Sequence, residues 1–143
     1  MKNRVKLIAI IFALVGLADS LYLTWIKLSH NEALCIKGVG DCWSVNISPY
    51  ASWNGIPIAI FGAAAYLAFL IVIIYEEKNT WFRKINDYLL FALTLAGILY
   101  SSYLTYLEIA VIKAICPYCV LSAIVMLALF VLSVIRLVRT QTI

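Results

Sequence analysis

Cys116-Pro117-Tyr118-Cys119 opens the last apolar segment of a 143-residue chain, and the rest reads outward from it. Proline is favoured at the first helical position, where its missing N–H costs nothing, so Pro117 puts Cys116 at or next to an N-cap. The free N–H groups and positive dipole end there favour a thiolate, the reactive form of cysteine. A bridge across two intervening residues closes a small ring, and strained bridges are the reducible ones. Cys-x-x-Cys also occurs as half of a zinc site. Its place here, where a membrane helix should meet water, argues for redox chemistry instead.

That membrane is read from composition. The chain is 65% hydrophobic and 13% charged, with mean hydropathy +1.01, whereas a soluble domain is roughly half apolar and about a quarter charged. Four stretches, Leu7–Ile26, Pro57–Tyr75, Tyr88–Leu107 and Ile115–Ile135, come close to the ~20 residues that cross a hydrocarbon core. The expectation is an all-α integral membrane protein: one domain over 1–143, a four-helix bundle with an outer loop at 27–56. The net charge of +4 comes mostly from Lys and Arg flanking these spans, so no nucleic-acid partner is read from it.

Orientation follows the basic residues. Lys2, Arg4 and Lys6 precede the first span, Lys78, Arg83 and Lys84 lie between the second and third, and Arg136 and Arg139 follow the fourth. The other face keeps only Lys27, Lys37 and Lys113 of the eleven. Both termini are therefore expected in the cytoplasm of a cell-membrane protein. Cys35, Cys42, Cys116 and Cys119 then fall on the extracytoplasmic side, where disulfides persist.

The first apolar run continues past Ala18-Asp19-Ser20 to Ile26, longer than the core of a cleaved signal. Asp19 lies well inside it, and an acid within a span is a functional candidate by default; the plainer reading has it bonded to nearby Ser or Tyr. The loop from Ser29 to Ile56 holds Cys35 and Cys42, with Gly38 and Gly40 between them to let the chain turn and move. Trp43, Tyr50 and Trp53 mark a short amphipathic piece at the membrane surface. His30 stands alone and is assigned nothing. Gly62 and Ala63 to Ala65 allow close helix approach. Tyr100, Tyr103 and Tyr106 form a stripe on one face, read first as packing. Glu108 ends the third span eight residues before Cys116, either paired with Lys113 or partly withdrawn from water as a proton donor.

Four outward cysteines admit three readings: a zinc site, two structural disulfides, or an electron relay. Cys-x6-Cys with Cys-x2-Cys fits structural zinc loosely. The Gly-rich turn and the helix-start position argue against inert bridges. In a relay, a mobile outer pair exchanges with a soluble thiol protein and an inner pair passes electrons into the bilayer. No haem-ligating or flavin-binding pattern is present, which leaves a lipid-soluble quinone as the acceptor that needs no such motif.

The residues Gly16 to Tyr22 (GLADSLY), Cys35 and Cys42, Ser48, Gly55-Ile56-Pro57 with Gly62 and Tyr66, Tyr103 to Glu108 (YLTYLE), and the Cys-Pro-Tyr-Cys carry a resemblance. Over roughly residues 7 to 137 the chain resembles prokaryotic members of the vitamin K epoxide reductase family. The resemblance implies a four-helix bundle around a quinone (menaquinone or ubiquinone), with a short half-helix between the first two spans. It also implies reoxidation of a thioredoxin-like, DsbA-like partner that makes disulfides in secreted proteins. Cys35 would take the mixed disulfide with the partner, Cys42 would attack Cys116, and Cys119 would face the quinone ring. Ser48 matches the half-helix serine, Phe61 and Leu104 match pocket positions, and Cys119 faces the quinone; Glu108 joins this site by its position eight residues before Cys116, independently of the resemblance.

The chain also departs from the family pattern. The animal enzymes have an asparagine near Ile58 and a tyrosine where this chain has Ala123, so hydrogen bonding to the quinone differs and epoxide reduction is not implied. Many prokaryotic members carry a fused thioredoxin-like domain. With this chain ending at Ile143, a separate partner and a monomer in lipid are expected. A DsbB-type enzyme would run the same reaction, but it places its quinone-side pair in the first outer loop. A non-catalytic scaffold with structural disulfides is the rival from another class.

Overall fold

The computed structural model describes residues 2–30, 40–76 and 80–142. In hydrocarbon every backbone N–H and C=O must be satisfied within its own segment, so long apolar runs fold as helices. They are α1 (Lys2–Ser29), a short α2 (Cys42–Ile47), α3 (Ile58–Ile74), α4 (Thr80–Tyr106) and α5 (Pro117–Thr142). A π-helical turn, Leu107–Ile112, continues α4. Asn3–Ser29, Trp81–Ile112 and Pro117–Thr142 are long and apolar enough to cross a membrane. α3 is equally apolar but has 17 residues, the lower end of the ~17–25 that span a bilayer. The protein is an all-α, multi-pass membrane bundle.

The helices overrun the apolar stretches. α4 starts at Thr80 where the sequence suggests a span from Tyr88, and α5 ends at Thr142 rather than Ile135. Hydropathy registers only the lipid-facing part of a helix. The turns beyond it remain helical because they extend a helix already nucleated, each residue adding one hydrogen bond.

α1 packs between α3 and α5, and α5 packs between α1 and α4; α3 and α4 touch less. One core joins Ala9 and Ala13 to Tyr66, Phe69, Leu70 and Ile73, and on to Leu90, Val125, Met126 and Leu129. α1 approaches α3 closely at Gly16, where a Cβ would lie 2.4 Å from the Tyr66 ring. Small residues permit such approaches in lipid, where packing takes the place of the hydrophobic effect.

Between α2 and α3 the chain makes a hairpin, with Ser52 opposite Pro57 and Trp53 opposite Ile56. Its turn is Asn54-Gly55, at φ 52° and 81°. Positive φ at both central residues is the requirement of a type I′ turn, and Asn-Gly is its preferred dipeptide.

At the end of the bundle opposite Cys116, a buried ion cluster ties the helix ends together. Arg136 Nε and Nη2 donate to Asp87 Oδ1 at 3.1 and 2.9 Å, and Nη2 also reaches Glu76 Oε1 at 2.9 Å. Lys6 Nζ lies 3.6 Å from Glu76 Oε2, and Thr140 Oγ1 donates to Asp87 Oδ2. The side chains of Arg136, Glu76 and Asp87 are 7%, 8% and 1% exposed. The cluster joins the start of α1, the end of α3, the start of α4 and the end of α5, which fixes an up-down-up-down order.

Asp19 differs from its plainer expectation. It is buried on α1, and neither carboxyl oxygen has a hydrogen-bond partner among the described residues. A buried unsatisfied polar group costs about 1–3 kcal/mol. Asp19→Leu is therefore expected to raise the unfolding temperature of the detergent-solubilised protein, and a lowered one would reveal a partner for the carboxyl.

Candidate functional site

The site forms where the start of α5 meets α2. α5 begins at Pro117, and Val120 N–H donates to the Cys116 carbonyl at 3.1 Å, so Cys116 takes the N-cap position its sequence suggests. α2 is capped by Asp41, whose Oδ1 accepts from Ser44 N–H at 3.0 Å and Oδ2 from the Ser44 hydroxyl at 2.6 Å. Those two bonds, the hydroxyl first, hold the Asp41 carboxyl below the usual carboxylate range. Asp41 N–H donates to the Ile115 carbonyl at 2.8 Å. At the other end of α2, Lys27 Nζ donates to the Asn46 carbonyl at 2.6 Å. The half-helix is thus pinned to α1 and to the segment before α5.

Pinning brings cysteines together. Cys42 and Cys116 are each 1% exposed, in a second core cluster with Leu23, Ile26 and Val45, and Cys119 packs against it. Cys42 is in a disulfide, whereas Cys116 and Cys119 are free thiols. Cys35 lies outside the described residues.

Beneath them is a cavity of about 180 Å³, comparable to engineered apolar cavities of ~150 Å³ that take a benzene ring. Cys42, Cys116 and Cys119 line it, as do Ser48, Phe61, Leu104 and Glu108. The described cysteines and the residues expected at the quinone site therefore border one space, whereas Asp19 does not line it. The Ser48 hydroxyl already donates to the Val45 carbonyl at 2.7 Å, so it faces the cavity as an acceptor.

Glu108 reaches this space because of the π-helical turn. The extra residue per turn widens the helix, and Lys113 ends it in the left-handed region at φ 55° with its N–H on the Glu108 carbonyl. Ala114 N–H bonds the same carbonyl at 3.1 Å. The Glu108 side chain is 5% exposed, and its Oε2 accepts from Cys116 N–H at 3.3 Å. Lys113 is exposed, and no ion pair joins it to Glu108 among the described residues. Of the two readings of Glu108, withdrawal from water is the one observed.

The Cys119 thiol is hydrogen-bonded to both Cys116 and Glu108. Cys116, just before α5, is held below the ordinary thiol range, first by the Cys119 thiol and then by the N–H groups of Cys119 and Tyr118. Burial and the Glu108 carboxylate oppose that shift. Cys116 is thus the thiolate-prone member of the inner pair.

Several cavity residues escape sequence reading. Tyr66 OH lies 2.9 Å from Ser122 Oγ and donates to the Ser122 carbonyl at 3.0 Å, and both residues line the space. Ser122 is three residues after Cys119 and so shares its helix face, a signal available in the sequence. Of the tyrosine stripe, Tyr100 borders the cavity, while Tyr103 and Tyr106 are 55% and 63% exposed. Tyr103 and Tyr106 thus face outward, and only Tyr100 turns toward the interior.

Known proteins share this arrangement of sequence. Thiol-disulfide oxidoreductase LTO1 of Arabidopsis thaliana is 32% identical over 121 residues, which cover 81% of this chain. The match takes in 32% of that relative, so this chain spans about a third of its length. Residues 7–134, which hold both core clusters and every cavity-lining residue, match the Vitamin K epoxide reductase family, and it is to this family that the chain belongs.

Proposed function

We propose that this protein is a membrane thiol–disulfide oxidoreductase that reoxidises a thioredoxin-like partner and delivers the electrons to a membrane quinone. The observation that carries the reading is the convergence of Cys42, Cys116 and Cys119 on one cavity, with Cys42 already oxidised and the inner pair reduced. On this reading the termini are cytoplasmic and the cysteines extracytoplasmic, in a protein of the cell membrane.

The chemistry proceeds by exchange. A partner thiolate attacks Cys35 and forms a mixed disulfide, releasing Cys42 as a thiolate. The second partner thiol displaces Cys35, so the partner leaves oxidised and the loop pair reduced. Cys42 then attacks Cys116 of an inner disulfide, and Cys119 leaves as thiolate. Cys35 attacks Cys42, which closes the loop pair again and frees Cys116. Burial of Cys42 at 1% exposure supports this order, because a soluble partner cannot reach its sulfur in the docked state.

A ring-sized, largely apolar cavity beside a free dithiol suits a quinone headgroup, held by Phe61, Leu104, Ser48, Glu108 and Cys119. A bound quinone would supply the two-electron acceptor. Cys119, in contact with Glu108, would face that ring, and Glu108 would take up and return the thiol proton. Cys116 closes the disulfide as its thiolate. The overall balance is partner dithiol plus quinone giving partner disulfide plus quinol. Following quinone absorbance after adding reduced partner to the lipid-embedded protein tests it. No absorbance change with any membrane quinone would refute the quinone arm.

Two variants should trap different species. Cys42→Ala leaves Cys35 a lone thiol that can attack the disulfide of the oxidised partner but has no neighbouring loop thiol to release it, so Cys35 should accumulate as a partner adduct. Cys35→Ala should leave Cys42 bridged to Cys116. Non-reducing gels and mass spectrometry read both, and a fully reduced loop in each would reverse the assigned order.

A further inference from the structure

The sequence presents Gly40 as part of a hinge, and the structure gives it a second task. Gly40 sits at φ 83°, just before the Asp41 N–H that bonds the Ile115 carbonyl at 2.8 Å. A Cβ on Gly40 would lie 2.4 Å from that carbonyl oxygen and 3.2 Å from Pro117 Cδ. Ordinary contact begins at 3.4 Å, so a side chain there would displace one backbone from the other by about 1 Å. The obstacle is backbone and cannot rotate away. Asp41 adjoins Cys42 and Ile115 adjoins Cys116, so this contact joins the two segments that carry the buried sulfurs.

We infer that Gly40 is a positioning residue for exchange between Cys42 and Cys116: lacking a side chain, it lets Asp41 N–H seat on the Ile115 carbonyl and so registers one sulfur against the other. This rests on the relay reading above. In the exchange it serves, the Cys42–Cys116 bond forms as the Cys116–Cys119 bond breaks, and the electron pair leaves with Cys119. Thiol–disulfide exchange depends on sulfur access and alignment, and a misplacement of ~1 Å can cost about 10²-fold in a positioned reaction.

Gly55 is a built-in control. It has nearly the same backbone, φ 81°, but nothing lies within 4 Å of where its Cβ would be. Alanine at Gly55 incurs the left-handed strain without a clash. Asparagine at Gly40 does the reverse, because it tolerates positive φ yet still carries a Cβ.

The test uses the full chain in detergent with Cys35→Ala and Cys119→Ala, which leaves Cys42 and Cys116 as the two thiols. Diamide takes two electrons and two protons from that pair and becomes its hydrazine, and the Cys42–Cys116 bond is timed by thiol labelling and intact mass. Gly40→Ala and Gly40→Asn should each slow closure roughly 10²-fold, with the thermal transition retained, while Gly55→Ala closes at the background rate. Equal slowing by Gly55→Ala, or rescue by Asn, would assign the effect to backbone strain and overturn the inference. So would unslowed closure in Gly40→Ala, or loss of its thermal transition, which would make Gly40 a residue of the fold alone. If the background protein itself never forms the Cys42–Cys116 bond, it is the relay that fails.

Discussion

Arg136→Ala is expected to destabilise the protein by about 3–5 kcal/mol, the usual cost of removing one partner from a buried ion cluster. The guanidinium serves Asp87 through two nitrogens and Glu76 through one. Without it, the nearly inaccessible Asp87 keeps the Thr140 hydroxyl, and Glu76 loses its shorter ion pair while Lys6 stays at 3.6 Å. Two carboxylates would then share a poorly solvated space with Lys6 as the remaining cation paired to them among the described residues, and the ends of α3, α4 and α5 would lose their common tie. Arg136→Lys should fall between wild type and alanine, because it restores charge without the planar fork. Thermal unfolding in detergent, followed by a thiol-reactive dye at Cys116 and Cys119, reads the difference. An alanine variant within about 1 kcal/mol of wild type would place the cluster among salt bridges whose desolvation cancels their attraction. The cluster lies at the far end from the cysteines, so exchange per folded molecule should be unaffected.

Glu108→Gln is the second large expectation. The substitution keeps size and hydrogen bonding but removes the exchangeable proton, and general acid–base groups contribute roughly 10²–10⁴-fold. Glu108 touches both members of the inner pair, through the Cys116 N–H at 3.3 Å and the Cys119 thiol. Quinone reduction should therefore slow by ~10²-fold or more, while partner exchange at the loop pair proceeds as before. Stopped-flow measurement of the two half-reactions separates them. A Gln variant with wild-type quinone turnover across the neutral range would reduce Glu108 to an acceptor that orients the Cys116 backbone.

The sequence carried the membrane class, the long apolar helices and the place of Cys116 at a helix start because these are local or compositional. Apolar runs of bilayer length must fold as helices whatever surrounds them, and Pro117 sets the start of α5 through its own covalent geometry. Asn54-Gly55 belongs to the same kind of information, since its turn follows from two residues able to adopt positive φ. Contacts between elements were a different matter. The ion cluster on Arg136 joins residues 49 and 60 positions apart, and no spacing rule pairs Arg136 with Asp87 rather than with another acid. Glu108 was placed near the inner pair by sequence distance, but its choice of Cys116 N–H over the Lys113 side chain depends on the π-helical turn. Gly40 shows the limit most plainly. A glycine beside an active cysteine reads as freedom to move, and only the 2.4 Å from its absent Cβ to the Ile115 carbonyl reveals that the missing side chain is needed to dock. Conformational freedom is a property of one residue, whereas close approach belongs to two segments at once and exists only when the fold has brought them together.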